Sequence, residues 1–194
     1  MEYLLNKKPE TVWEEYVPIV KSGNTYTVYL TDQIDVPANY NQLMHVLANA
    51  TTLDTIKFVI NNGGGVIDTG FMLINAINNT SAHTIAHITG TVASVATIIA
   101  LSCDKLICDS HISFMIHNYS AAVGHQKGHE LKAYQNFTDR ELNKTFRIVY
   151  ADFLTEKEMT DVIEGKGIWL NKEEVLERWE RTKETVYEED CIEH

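Results

Sequence analysis

Three apolar stretches of this 194-residue chain end on polar or glycine-rich corners, and that recurrence restricts the folds open to it. Thr55 to Ile60 runs into Asn61-Asn62-Gly63-Gly64-Gly65, His83 to Thr89 runs toward Gly90 and on to Ser94, and Ser113 to Ile116 ends on His117. Short runs rich in β-branched residues and bounded by such corners predict strands, and Thr25 to Thr31 predicts another upstream. Between them the pattern turns helical. Tyr40 to Ala50 carries Leu43, Val46, Leu47 and Ala50 on one face, and Asp68 to Asn78 carries Phe71, Leu73, Ile74 and Ile77, with Asp68 as the expected N-cap. Val95 to Leu101 fits a helix or a strand by periodicity alone; the two short strands close behind it, Lys105 to Cys108 and Ser113 to His117, favour a helix. The expected fold class is α/β, with repeated ββα units and helices around a sheet core.

Beyond about residue 124 the pattern changes to long charged helices with a narrow apolar stripe, running through Leu131 and Leu142 to Phe153. A further helix is expected from Glu156 to Glu164, with Gly165 and Gly167 at its end, and another from Lys172 to Arg181 with Asn171 as N-cap. No Pro- or Ser-rich stretch divides the chain, so one domain over 1–194 is expected, with a polar segment of about 1–23 and an acidic tail of about 184–194 at its periphery.

The net charge of −11 argues against a nucleic-acid partner, since no basic stripe is present to meet phosphates. No apolar run approaches the roughly 20 residues of a membrane span, and the first nine residues lack a signal-peptide core. The three cysteines, Cys103, Cys108 and Cys191, form no zinc-type pair and fit a reducing compartment; a cytoplasmic location is expected. His125 and His129 stand four apart, but no Glu follows His125 as a zinc-protease helix requires, so they read as surface histidines and no metal is expected; no cofactor is expected either. Glu173 and Glu174 read as helix-dipole compensation, and Trp13, Trp169 and Trp179 as packing or subunit-contact residues.

A hydroxyl, an imidazole and a glycine turn, all at strand ends, are the parts of a serine hydrolase. Each has a plainer reading alone: Ser94 as a helix cap, His117 as a structural histidine, Gly63 to Gly65 as a tight turn.

Together they carry a family resemblance over roughly residues 26–179. Ile60-Asn61-Asn62-Gly63-Gly64-Gly65 resembles the I-N-S-P-G-G turn of the proteolytic subunit of the Clp protease, the ClpP family of serine peptidases with a crotonase-like fold. Gly90-Thr91-Val92-Ala93-Ser94-Val95-Ala96 resembles its G-x-A-A-S-M-[GA] nucleophile motif, and Met115-Ile116-His117-Asn118 its M-I-H-Q base motif. The resemblance implies Ser94 as nucleophile, His117 as general base, and Gly65 and Val95 as backbone donors of an oxyanion hole. It also implies a peptide or protein substrate, a homo-oligomeric ring of seven subunits or two such rings stacked, and an ATP-driven unfoldase as partner, with the helical region of 124–152 joining the rings. One member is missing: the family's acid precedes an x-F-L-S segment resembling Ile168-Trp169-Leu170-Asn171, and Gly167 stands there. Asp161, Glu164, Asn118 or a backbone carbonyl remain as substitutes, as does loss of catalysis. The rival readings are a catalytically impaired ring or scaffold protein and, third, another crotonase-fold acyl-CoA enzyme.

Overall fold

The strand-forming stretches pair into one seven-stranded sheet in the computed structural model, which describes residues 17–120 and 127–190. In chain order the elements are β1 (Ile19–Ser22), β2 (Thr25–Leu30), α1 (Asn41–Asn49), β3 (Thr55–Asn62), α2 (Ile67–Asn79), β4 (His83–Ala93), α3 (Val95–Leu101), β5 (Lys105–Cys108), β6 (Ser113–Ile116), α4 (Gly128–Val149), α5 (Glu156–Ile163), β7 (Ile168–Leu170) and α6 (Lys172–Asp190). This is the expected α/β class. Strands β2, β3 and β4 are parallel neighbours joined by crossover helices, as parallel pairing requires, and the order across the sheet is β1-β2-β3-β4-β6-β7.

Strand β4 organises the rest. Its first half, Ile85 to Ile88, pairs with β5, and its second half, Thr91 to Ala93, pairs with β6 on the same edge. Between the halves the β3–β4 register shifts, from Ile60↔Ile88 to Asn62↔Val92. Gly90 makes the shift possible, because a Cβ there would lie 2.5 Å from Asn61 Oδ1, which accepts the Thr91 N–H at 2.9 Å. With β3, β4 and β6 parallel, their C-terminal ends share one edge of the sheet, where open α/β sheets bind ligands.

Alternate residues of the central strands, Val28, Leu30, Ile56, Phe58, Ile60, Ala86 and Ile88, are fully buried on one face. The helices cover that face with Leu43 and Leu47, Leu73, Ile74 and Ile77, and Ile98 and Ile99. Burying such a side chain contributes about 1.5–3 kcal/mol, whereas an exposed ion pair contributes about 0–1 kcal/mol. Sheet-to-helix packing therefore dominates the stability.

Several expectations shift. β4 continues four residues past Thr89, so Ser94 directly follows a strand. The helix expected from Asp68 begins at Ile67 with Val66 at the cap position and no side-chain cap; Asp68 sits in its first turn. Residues 19–22, expected in a peripheral segment, form the edge strand β1, antiparallel to β2. The acidic tail expected from residue 184 is helical in backbone to Asp190, since α6 continues past Arg181. Residues 1–16 and 191–194, with Trp13 and Cys191, lie outside the described residues, as does His125; His129 is exposed beside Glu130.

Helix α5 has a capping box: Thr155 Oγ1 accepts the Glu158 N–H and the Glu158 carboxylate accepts the Thr155 N–H. Arg178 of α6 grips the same carboxylate through two bonds of 2.9 and 2.8 Å and donates to the Phe153 carbonyl at 3.1 Å. That guanidinium pushes the Glu158 carboxyl down to about 2. A carboxyl depressed in the folded state stabilises above its unfolded value, near 4.5, and the contribution is lost as pH falls toward 2. Urea midpoints measured between pH 5 and 2 should thus fall more steeply for the wild type than for Glu158→Gln.

Candidate active site

Ser94 occupies the corner between β4 and α3 with φ 57° and ψ −136°, a conformation that non-glycine residues adopt at a cost of about 1–3 kcal/mol. It stands at the cap position of α3, yet its side chain makes no capping bond, which removes the plain reading of Ser94 as an N-cap. The strained strand-to-helix turn instead lifts the hydroxyl out of the backbone's hydrogen bonding, the arrangement of a nucleophile elbow. The Ser94 N–H donates to the Met115 carbonyl at 3.0 Å, which extends the β4–β6 ladder and fixes Ser94 two residues from His117 along β6.

The glycine turn after β3 abuts this corner. A Cβ on Gly64 (φ 94°) would lie 2.5 Å from Ser94 Cβ, and one on Gly65 (φ 151°) would lie 2.0 Å from the Ile34 carbonyl oxygen. Ile34 donates to Gly64 O and accepts from Val66 N, each at 2.8 Å, so the N–H of Gly65 faces the other side of the segment. Buried Asn62 holds the turn from within, accepting the Gly64 N–H at 2.8 Å and donating to the Asp32 carbonyl. Neither the Gly65 N–H nor the Val95 N–H has an acceptor among the described residues. Val95 opens α3, where first-turn amides have no partner within the helix.

These groups share one cleft. A branch of about 530 Å³ is lined by Gly65, Ser94, Val95, His117, Phe146 and Tyr150, with further apolar side chains from α2, α3 and α4. A more polar branch of about 740 Å³ shares Gly65, Val66, Ser94, His117 and Ser120 with it and adds Asp32, Gln33 and Asn61. Ser94 and His117 border both branches. They do not hydrogen-bond each other here; in general, a hydrogen bond between a nucleophile and its base often tightens only around substrate.

The candidates for a third group are engaged elsewhere. Asp161 receives Lys157 at 2.7 Å and Lys166 at 2.5 Å, and those lysines hold its carboxyl below the usual range. Glu164 lies 3.5 Å from Lys166. The Asn118 amide donates to the Ile163 carbonyl at 2.9 Å and its oxygen accepts the Tyr119 N–H, so it braces the end of α5. The antiparallel register Ile116↔Ile168 puts Gly167 one step further along, across from His117. The place is empty of side chain.

Sequence reasoning singled out the turn of Asn62 to Gly65 but missed Asp32 and Tyr150 at this cleft and Thr97 beneath it. Only Tyr150 carried a signal, at helical spacing after Leu142 and Phe146. Because Gly64 touches the serine itself, Gly64→Ala should slow any reaction of Ser94 by about tenfold or more, since the intruding methyl displaces the hydroxyl. The rate of covalent labelling by a fluorophosphonate, compared with the thermal midpoint of the same variant, checks this.

A comparison with curated proteins finds no match. The Clp protease family model matches residues 18–175, a span that holds the glycine turn, the serine corner and the histidine strand end. With that match over most of its length, the chain belongs to the Clp protease family, a family of peptidases.

Proposed function

We propose that the protein is a serine endopeptidase that hydrolyses peptide bonds through an acyl-enzyme on Ser94. His117 is the general base, and the Gly65 and Val95 N–H groups receive the oxyanion. The observation that carries this reading is Ser94 at φ 57°, uncapped, on the wall of a cleft it shares with His117 and those two residues. Ser94 Oγ attacks the scissile carbonyl carbon while its proton passes to the His117 ring. The negative oxygen of the tetrahedral intermediate is then met by two preorganised amides, each worth roughly 10²–10³ in rate. The C–N bond breaks as His117 returns the proton to the leaving amine, and water repeats the sequence to free Ser94.

With Asp161, Glu164 and Asn118 engaged elsewhere and Gly167 across from His117, the catalytic unit is a Ser94–His117 dyad. The exposed Tyr134, Phe137 and Ile148 of α4 support assembly into a homo-oligomeric ring, heptameric or doubly so, with that helix between rings. An ATP-driven unfoldase would deliver protein substrates, in the cytoplasm, where the buried thiols of Cys103 and Cys108 stay reduced. The gap at Gly167 also favours a second reading, a ring or scaffold protein that has lost catalysis.

A fluorophosphonate separates the two: the wild-type assembly should be labelled and Ser94→Ala should not, and no labelling of a correctly assembled wild type selects the scaffold. Gly167 has an ordinary backbone conformation, and an added Cβ would meet only the flexible end of Met115 at 3.0 Å and the Ile116 carbonyl at 3.8 Å. Gly167→Asp should therefore raise peptide hydrolysis by about 10- to 1,000-fold, within the roughly 10⁴ that the acid contributes in complete triads. Asp161→Asn should leave the rate unchanged, and a loss in that variant would restore Asp161 as the third group.

A further inference from the structure

The corner that presents Ser94 is held from beneath by two hydroxyls. Thr97, in the first turn of α3, donates its N–H at 2.9 Å and its hydroxyl at 2.6 Å to the Ser94 carbonyl oxygen. Its hydroxyl oxygen also lies 2.6 Å from that of Tyr150, which ends α4 and is 53 residues away in sequence. A threonine hydroxyl has one proton, and the Ser94 carbonyl takes it. Tyr150 must then be the donor, so the chain runs from the phenol of Tyr150 to Thr97 and from Thr97 to Ser94. Thr97 is wholly buried and Tyr150 nearly so. Burial pushes the Tyr150 phenol up, which keeps it protonated and a donor.

We propose that Thr97 and Tyr150 are positioning residues for Ser94, a two-hydroxyl relay that holds the strained serine corner and ties it to the end of α4. The geometry has two consequences. The relay fixes the carbonyl of the residue whose side chain must point into the cleft, so it sets the orientation of the peptide plane that continues into the Val95 N–H. Tyr150 is also among the residues that line the apolar branch, so the residue that holds the serine corner borders the space open beside it. Neither link depends on a group at position 167. The relay therefore supplies backbone order to a site that lacks its acid.

The catalytic meaning rests on the reading of Ser94 as nucleophile, and the test keeps the two apart. Full-length Thr97→Val, Tyr150→Phe and Thr97→Ser are compared in two measurements: the saturating rate and half-saturating concentration of fluorophosphonate labelling, and amide hydrogen exchange over residues 94–101. Tyr150→Phe removes one oxygen and keeps the ring, so it folds even where Thr97→Val does not. The expected result is a saturating rate about tenfold or more lower for Thr97→Val and Tyr150→Phe, with the half-saturating concentration within about twofold. Exchange at 94–101 should quicken in both, and Thr97→Ser should match the wild type in both measurements. Wild-type labelling rates and exchange in Tyr150→Phe would overturn the relay. If the wild type itself is not labelled, the peptidase reading falls, and faster exchange in Tyr150→Phe but not Thr97→Ser still upholds the relay as the support of the corner.

Discussion

Everything at the cleft depends on one residue held in a conformation it does not favour. A serine at φ 57° relaxes unless its neighbours leave it no alternative, and here three constraints converge on it. The β4–β6 ladder fixes its N–H to Met115, Thr97 fixes its carbonyl twice, and Gly64 fills the space beside its Cβ. Each constraint comes from a different element, so the corner forms only when the sheet, α3 and the glycine turn are all in place. The same contacts also set the site's dimensions. Met115 is two residues from His117, and Gly64 is one from Gly65, so fixing the serine places the imidazole and the free amide around it.

How much of this was legible in the chain follows from how local each cause is. The corners at residues 61–65, at Ser94 and at His117 could be read because apolar runs and glycines are local signals. The extension of β4 through Gly90 to Ala93 could not. Glycine after a strand ordinarily marks a turn, and what makes it strand here is the Asn61 side chain lying where a Cβ would go, with its oxygen on the Thr91 N–H. Strand β1 was missed for a related reason: four mostly exposed residues acquire strand structure only by pairing with β2. Asp161 looked available in sequence because it precedes position 167 by six residues, yet the lysines at 157 and 166 converge on it in the fold. The Thr97–Tyr150 bond joins α3 to the end of α4, and no spacing rule reaches that far.

The empty position across from His117 alters what the remaining groups have to do. In a triad the carboxylate orients the imidazole and stabilises its protonated form after proton transfer. Here no described side chain hydrogen-bonds the His117 ring, while the amides of Gly65 and Val95 have no acceptor among the described residues. On the proposed reading, a Ser94–His117 dyad would rely on the oxyanion site and on nucleophile placement, both of which are backbone properties.

Helix α4 is held less evenly than the strands of the sheet. Among its described residues only Leu142 and Phe146 are buried, with Tyr150 just past its end, so the helix is anchored through its C-terminal half. Its N-terminal half lends Leu131 and Tyr134 to the apolar branch while Tyr134 and Phe137 remain largely exposed. The Tyr119 hydroxyl reaches across to Asp139 at 2.5 Å, and that carboxylate pushes the phenol up to about 12, giving the middle of the helix a polar tie to the segment after His117. The Ser94 corner, by contrast, is bonded to the sheet through Met115 and, by way of Thr97, to Tyr150 at the end of α4, so the best-held part of the helix is the part that meets the serine.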